Sequence, residues 1–170
     1  GGFGFHVWLP DAYAEADDDF TAMLSAVVSK AGVFGLVLIA AHLGVRADIG
    51  LDPAYVLGWI GILTATFGAL MAVFQEDIKL MLAYSTISNI GYIVLGLGLA
   101  GELAVTGAAV HVLNHAVIKA TLFLAAGAMI HQSGHRTLHD LRGIGRAMPW
   151  TTLALLIGAL SIVGLPPTAG

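Results

Sequence analysis

Leu103-Ala104-Val105-Thr106-Gly107-Ala108-Ala109-Val110-His111-Val112-Leu113-Asn114-His115-Ala116-Val117-Ile118-Lys119-Ala120-Thr121-Leu122-Phe123-Leu124-Ala125-Ala126-Gly127-Ala128-Met129-Ile130-His131 contains one cation and no carboxylate. A helix that crosses the hydrocarbon of a bilayer needs roughly 20 apolar residues for about 30 Å. This stretch is longer than that, so a spanning helix, tilted or interrupted, is expected over 103–131.

On either side the pattern repeats. Apolar segments at 20–42, 54–75, 80–101 and 148–165 qualify as further spans or nearly so, and the charges concentrate between them. Soluble buried helices would not keep charge out of five such runs. The 170 residues are 58% hydrophobic and 11% charged, with a mean hydropathy of +0.88, whereas soluble domains carry about 25% charged residues. The fold class read from these facts is all-α, a polytopic transmembrane bundle in a lipid bilayer. A net charge of −4 and the lack of cysteine exclude a nucleic-acid binder and a disulfide-stapled secreted module. The chain begins Gly1-Gly2-Phe3 and stops at Leu165-Pro166-Pro167-Thr168-Ala169-Gly170, which leads us to expect an excerpt cut at both ends. No signal-peptide pattern is visible.

The connections suggest an orientation. Lys79, Arg136, Arg142 and Arg146 fall in two connections separated by two spans, hence on one side; the opposite connections hold only Arg46. An excess of cations marks the cytoplasmic side, so the Lys79 loop and the loop over 136–146 are expected there. The segment 2–16 is too short and glycine-rich to span, and Pro10 discourages an uninterrupted helix in it. Asp17-Asp18-Asp19 precedes the first span, where carboxylates cap free N–H groups and complement the helix dipole; we favour that role over metal binding.

Two cations lie inside apolar spans, Lys30 in the first and Lys119 in the fourth. A charge at mid-bilayer costs about 2.5–3.5 kcal/mol on insertion scales. Neither helix carries an acid: no carboxylate lies between Asp19 and Asp48 or between Glu102 and Asp140. Each lysine therefore faces a wet interior, pairs with a carboxylate from another helix, or sits neutral. Both are too deep for comfortable snorkelling, and a switchable proton site is the preferred reading. His111, His115 and Lys119, four residues apart, share one stripe about 12 Å long. Imidazole takes and gives protons near neutral pH. Steps of roughly 6 Å need bridging water, so the stripe reads as a hydrated proton path. Ser85, Thr86, Ser88 and Asn89 in the third span either line that path or serve as hydrogen-bonding glue between helices.

Other patterns fail on context. Gly96-Leu97-Gly98-Leu99-Ala100-Gly101 fits G-x-G-x-x-G but ends an apolar helix, and Thr121 stands where an acid is expected. His111 and His115 have metal-ligand spacing, yet Val112 occupies the position of a zinc protease's general base. His131, His135 and His139 repeat the spacing beside Arg136, where an exposed polar loop is preferred to a metal site. No metal ligand set and no catalytic centre are assigned.

Five stretches then point to a family. They are His6-Val7-Trp8-Leu9-Pro10-Asp11-Ala12, Ser29-Lys30-Ala31-Gly32-Val33-Phe34-Gly35, Gln75-Glu76-Asp77-Ile78-Lys79 with Ala83-Tyr84-Ser85-Thr86, the run from His111 to Lys119, and Leu165-Pro166-Pro167-Thr168-Ala169-Gly170. In this order they resemble the antiporter-like membrane subunits of respiratory complex I (NADH-quinone oxidoreductase chains L, M and N), membrane-bound hydrogenases and multisubunit sodium/proton antiporters. The resemblance covers essentially the whole chain. It implies a fold of about fourteen helices with two inverted repeats, each holding a broken helix. The chain would run from the end of the first broken helix to the break in the second.

On that resemblance Lys30 matches the bridging Lys/His after the first break, His111, His115 and Lys119 match the central polar axis, and Lys79 matches the Asp-Ile-Lys loop. Asp77 and His6 take a pathway or loop role. The terminal Glu/Lys residues of the relay would lie just outside both ends. Two departures stand out: Asp17-Asp18-Asp19-Phe20 replaces a proline-containing stretch, and Tyr13 stands where His is frequent. The function implied is proton translocation by a subunit of a redox-driven complex in a prokaryotic cytoplasmic membrane. Quinone, flavin and iron–sulfur clusters are expected only in partner subunits, and no cofactor in this chain. A sodium/proton antiporter subunit without a redox partner is the alternative, and a structural membrane scaffold is an alternative of another class.

Overall fold

The computed structural model describes residues 7–43 and 52–168, apart from the side chains of 40–43. Its helices are α1 (Trp8–Glu15), α2 (Asp18–Met23), α3 (Ser29–Leu43), α4 (Pro53–Val73), α5 (Ile78–Gly98), α6 (Glu102–Ser133) and α7 (Pro149–Val163). A π turn, Leu24–Val28, joins α2 to α3, and a single 3-10 turn, Ile144–Arg146, precedes α7. Four stretches are long and apolar enough to cross a membrane: Asp18–Ile39, Pro53–Val73, Ile78–Gly98 and Glu102–Ser133. The fifth apolar segment forms α7, whose 15 residues rise only about 22 Å.

Two expectations about the amino-terminal part are corrected. Pro10 does not interrupt α1, because it sits in the first helical turn, where an N–H has no intrahelical partner to lose. The aspartates do not cap the first span through their side chains: Asp17 holds the N-cap position but accepts no side-chain bond. Its carbonyl receives Thr21 N at 2.8 Å, and Asp18 is committed elsewhere. The fourth span is uninterrupted. Its 32 residues extend about 48 Å, so tilt or protrusion absorbs the excess. Gly134 ends it in the left-handed region at φ 73°.

Helices α5 and α6 form the inside of the bundle. Ile87, Ile118, Leu122 and Phe123 from these two helices pack with Leu9 and Tyr13 of α1 into the main core. Helix α4 lies against α5 in close backbone contact. A Cβ on Gly91 would meet the backbone N of Ala65, and one on Gly68 would come within 2.5 Å of Ser88 N. Small residues permit this approach, which is how helices gain packing energy where no hydrophobic drive exists. The outer face of α4 exposes Tyr55, Trp59, Ile62, Leu63 and Leu70.

The two cation-bearing connections meet at one end of the bundle. Ile78 N donates to Arg136 O at 3.1 Å and Leu138 N to Glu76 O at 2.8 Å, forming an isolated antiparallel bridge between Asp77 and Thr137. Arg136 Nε adds an ion pair with Asp77 Oδ2 at 3.0 Å. The opposite loop with Arg46 lies outside the described residues.

Candidate functional site

Lys30 follows the π turn directly. There the Ser29 N–H reaches back five residues to Leu24 O, and this wider winding draws carbonyls out of the regular ladder. The carbonyl of Ser25 receives the Ser29 hydroxyl at 2.8 Å and also the ammonium of Lys30. The Lys30 side chain borders an apolar cavity of about 280 Å³ with Val33, Phe34, Ile93 and Val112. It does not snorkel to a helix end.

Lys119 is 0% exposed. Its Nζ donates to Leu82 O at 2.8 Å and to Ser85 Oγ at 2.5 Å, and it stands 5.9 Å from the centroid of the Phe123 ring. Carbonyl, hydroxyl and ring face together replace water around the charge. Among the described residues the ion pairs are Lys79 with Asp18, Arg136 with Asp77 and His139 with Asp140. Neither buried lysine of the spans meets a carboxylate among the described residues.

The imidazoles continue from Lys119 along α6. His115 is also 0% exposed, and neither of its ring nitrogens meets a hydrogen-bond partner among the described residues. Its ring centroid lies 5.9 Å from that of His111, whose Nε2 is 3.0 Å from Asn89 Oδ1. Lys30 shares its cavity with Ala108 and Val112 of α6, the helix that carries the other three. Thus the four residues singled out from the sequence gather in one interior zone on two helices, α3 and α6.

Helix α5 supplies the polar walls, and its residues divide between the two roles considered. Ser85 touches Lys119 and Asn89 touches His111, whereas Ser88 donates to Ala65 O at 2.9 Å and ties α5 to α4. Thr86 Oγ1 lies 3.1 Å from Ser25 Oγ and donates to Leu82 O at 2.9 Å.

At the bundle end Lys79 is 4% exposed and donates to Asp18 Oδ1 at 2.8 Å and to Ala16 O at 2.7 Å. Asp77 caps α5 by accepting from Lys79 N at 2.7 Å and Leu80 N at 3.2 Å. His6 lies outside the described residues. Among them no three His, Asp or Glu side chains converge as a metal cage would require.

Residues 1–170 match the family described as "NADH:quinone oxidoreductase/Mrp antiporter, TM". The chain belongs to this family. NADH-quinone oxidoreductase subunit N of Desulforudis audaxviator is 41% identical over 168 residues, covering 99% of this chain and 34% of that protein. Among solved structures, a chain of the membrane-bound sulfane sulfur reductase, an archaeal respiratory membrane complex, superposes with a TM-score of 0.88 at 35% identity over 98% of this chain and 34% of its own. A chain of the Mrp complex from Dietzia sp. DQ12-45-1b gives 0.88 at 36% identity over 100% of this chain and 18% of its own. This chain therefore spans about a third or less of these family members, and it is an integral membrane segment of the antiporter-like type.

Sequence reading did not single out Ser25 or Phe123, or the partner of Asp18. The Lys79–Asp18 pair had no signal in the chain order, where Glu76 and Asp77 stand much nearer to Lys79. Ser25 had none, because its carbonyl is exposed by a π turn that no residue pattern announces.

Proposed function

We propose that this chain is the central part of a proton-translocating membrane subunit, carrying protons through Lys30, Lys119, His115 and His111. One observation carries the reading: two amines are buried within apolar helices with no carboxylate partner among the described residues, held by carbonyl and hydroxyl oxygens beside two imidazoles. A permanent charge in that position would be an unrelieved cost. An amine that alternates between ammonium and free base is tolerated, because its charge moves along the relay rather than residing there. Each amine accepts a proton from one neighbour and releases it to the next.

Moving one elementary charge against the membrane potential takes about 2.3 kcal/mol per 100 mV. An external driver is needed, and redox chemistry in partner membrane and peripheral subunits is the driver we favour, with flavin, iron–sulfur clusters and quinone held there. The Lys79 loop and the 136–146 loop face the cytoplasm of a prokaryotic cell in this reading. The likeness to the Mrp chain favours a second reading, a sodium/proton antiporter subunit.

Lys119→Ala in the full-length protein, within its complex in sealed vesicles, tests the reading. Proton uptake should fall at least about tenfold, equivalent to about 1.4 kcal/mol in a barrier, while the complex still assembles. Wild-type uptake would sink it and leave the scaffold alternative. Dependence of uptake on sodium would select the antiporter.

A further inference from the structure

Lys119 and Phe123 stand four residues apart on α6, the spacing at which side chains on one helix face meet. A long side chain in a helix leans over the turn that precedes it, so Phe123 covers the side of α6 on which Lys119 lies. Its ring centroid is 5.9 Å from Lys119 Nζ, within the range over which a ring face attracts a cation. An ammonium carries three donors. Leu82 O and Ser85 Oγ take two of them, and Phe123 closes a further side of the shell.

The periodicity of α6 does not decide which way that ring turns. Another helix does: Tyr13 of α1 packs against it with centroids 5.6 Å apart and planes at 85°, an edge-to-face arrangement that aromatic quadrupoles favour. Tyr13 is 1% exposed and Phe123 2%, and Leu9, Leu122 and Ala126 fill the same buried cluster. The Tyr13 carbonyl accepts from Thr21 Oγ1 at 3.2 Å, which fastens the end of α1 to α2. The phenol hydroxyl, by contrast, meets no hydrogen-bond partner among the described residues. The part of this side chain that makes a specific contact is its ring.

We propose that Tyr13 is a positioning residue for proton transfer at Lys119: its ring holds Phe123 with a π face toward the ammonium, so that the placement of α1 sets how strongly the amine retains a proton. The inference rests on the proton-translocation reading above and names a residue that acts on its central amine from outside. No bond forms or breaks at either ring. The ring face attracts the ammonium and gives the free amine nothing comparable. Turning Phe123 away therefore leaves the charge with its two oxygen acceptors alone and favours its release.

The test uses the full-length protein in its complex, in sealed vesicles with a pH-sensitive dye, and records proton uptake against proton concentration. Mono-, di- and trifluorophenylalanine placed at position 123 withdraw density from the ring face while changing its volume little. The proton concentration for half-maximal uptake should rise step by step along this series, by about threefold at its end, with the maximal rate within about twofold of wild type. Tyr13→Phe keeps the ring and should behave as wild type. Tyr13→Leu and Tyr13→Met remove the ring in two shapes and should shift the half-maximal concentration as Phe123→Leu does. Tyr13→Leu combined with Phe123→Leu should add nothing to the single shifts, because both act through one contact.

A flat fluorination series overturns the proposal, since the ring would then only fill space. Wild-type behaviour in Tyr13→Leu and Tyr13→Met beside a shifted Phe123→Leu overturns the role of Tyr13. A Tyr13→Phe variant as impaired as Tyr13→Leu does so too, because the hydroxyl rather than the ring would be at work. In each of these cases a collapsed Lys119→Ala leaves the proton-translocation reading standing. An unimpaired Lys119→Ala would instead sink that reading.

Discussion

Lys79 Nζ lies 2.8 Å from Asp18 Oδ1, an ion pair that fastens the start of α5 to the start of the first span. Lys79 is nearly buried, while the Asp18 side chain is 33% exposed. The pair is seated against Gly127 of α6, where an added Cβ would come within 2.6 Å of Asp18 Cβ. Three helices thus meet at one carboxylate.

Asp18→Asn should leave Lys79 with the Ala16 carbonyl as its strongest remaining acceptor. Breaking a fully buried pair costs about 3–5 kcal/mol; the partial exposure of Asp18 reduces this to about 1–3 kcal/mol. The detergent-solubilised complex should show a lower midpoint of thermal unfolding, measured by a fluorescence melt. An unchanged midpoint would mean that the pair contributes nothing to stability.

Gly91→Ala should damage the bundle more than its single added methyl suggests. The new Cβ would meet Ala65 N, and it would sit 2.7 Å from Ala65 Cα and 2.8 Å from Gly61 O. These are backbone atoms of α4, which cannot rotate aside as a flexible side chain can. Overpacking of this kind costs about 3 kcal/mol. Yield of assembled complex and protease resistance of the α4–α5 connection should both fall; retention of both would show that the two helices slide apart at little cost.

Much of the architecture was legible because a bilayer imposes a simple rule on sequence. Apolar length and the exclusion of charge placed the helices 53–73, 78–98 and 102–133 to within a few residues, since no other backbone solution satisfies N–H and C=O groups in hydrocarbon. The stripe of His111, His115 and Lys119 followed from helical periodicity alone. Contacts between helices were less legible. Lys119 accepts solvation from Leu82 O and Ser85, and periodicity within one helix says nothing about which neighbour turns toward it. The π turn before Lys30 was hidden for a related reason: Leu24-Ser25-Ala26-Val27-Val28 is an unremarkable apolar run, and packing rather than propensity decides its winding. Asp17-Asp18-Asp19 misled because capping is a local explanation, and the actual partner of Asp18 lies 61 residues away.

Thr137→Val should change the titration of a loop carboxylate. Thr137 Oγ1 donates to Asp140 Oδ2 at 2.6 Å, and this bond, with a weaker contribution from His139, holds the Asp140 carboxyl below its usual value. A depressed carboxylate favours the folded loop above its ordinary titration range, near pH 4, and that contribution is lost as pH falls through the lowered value. Removing the hydroxyl should move Asp140 titration upward, toward the ordinary range, as followed by infrared difference spectra of its carboxylate band. No upward movement would show that Thr137 does not hold the charge.

Asn89 fixes the proton arrangement at the far end of the polar stripe. Its Nδ2 donates to Ser85 O at 2.8 Å, which commits the amide orientation and leaves Oδ1 as the group facing His111 Nε2 at 3.0 Å. An amide oxygen only accepts, so Nε2 must carry a proton, and a neutral His111 then has Nδ1 as its open acceptor. Asn89 is therefore the residue that makes His111 ready to receive a proton on one defined nitrogen. Asn89→Leu removes both bonds at similar volume. The loss of about 0.5–1.5 kcal/mol for the histidine contact should mix the two tautomers, visible in the nitrogen NMR shifts of labelled His111, and should slow proton uptake by about threefold to tenfold. Asn89→Asp keeps the acceptor and should preserve the tautomer even if its charge alters the rate. A single, unchanged tautomer in Asn89→Leu would show that another group sets the imidazole and that the stripe does not end on this amide.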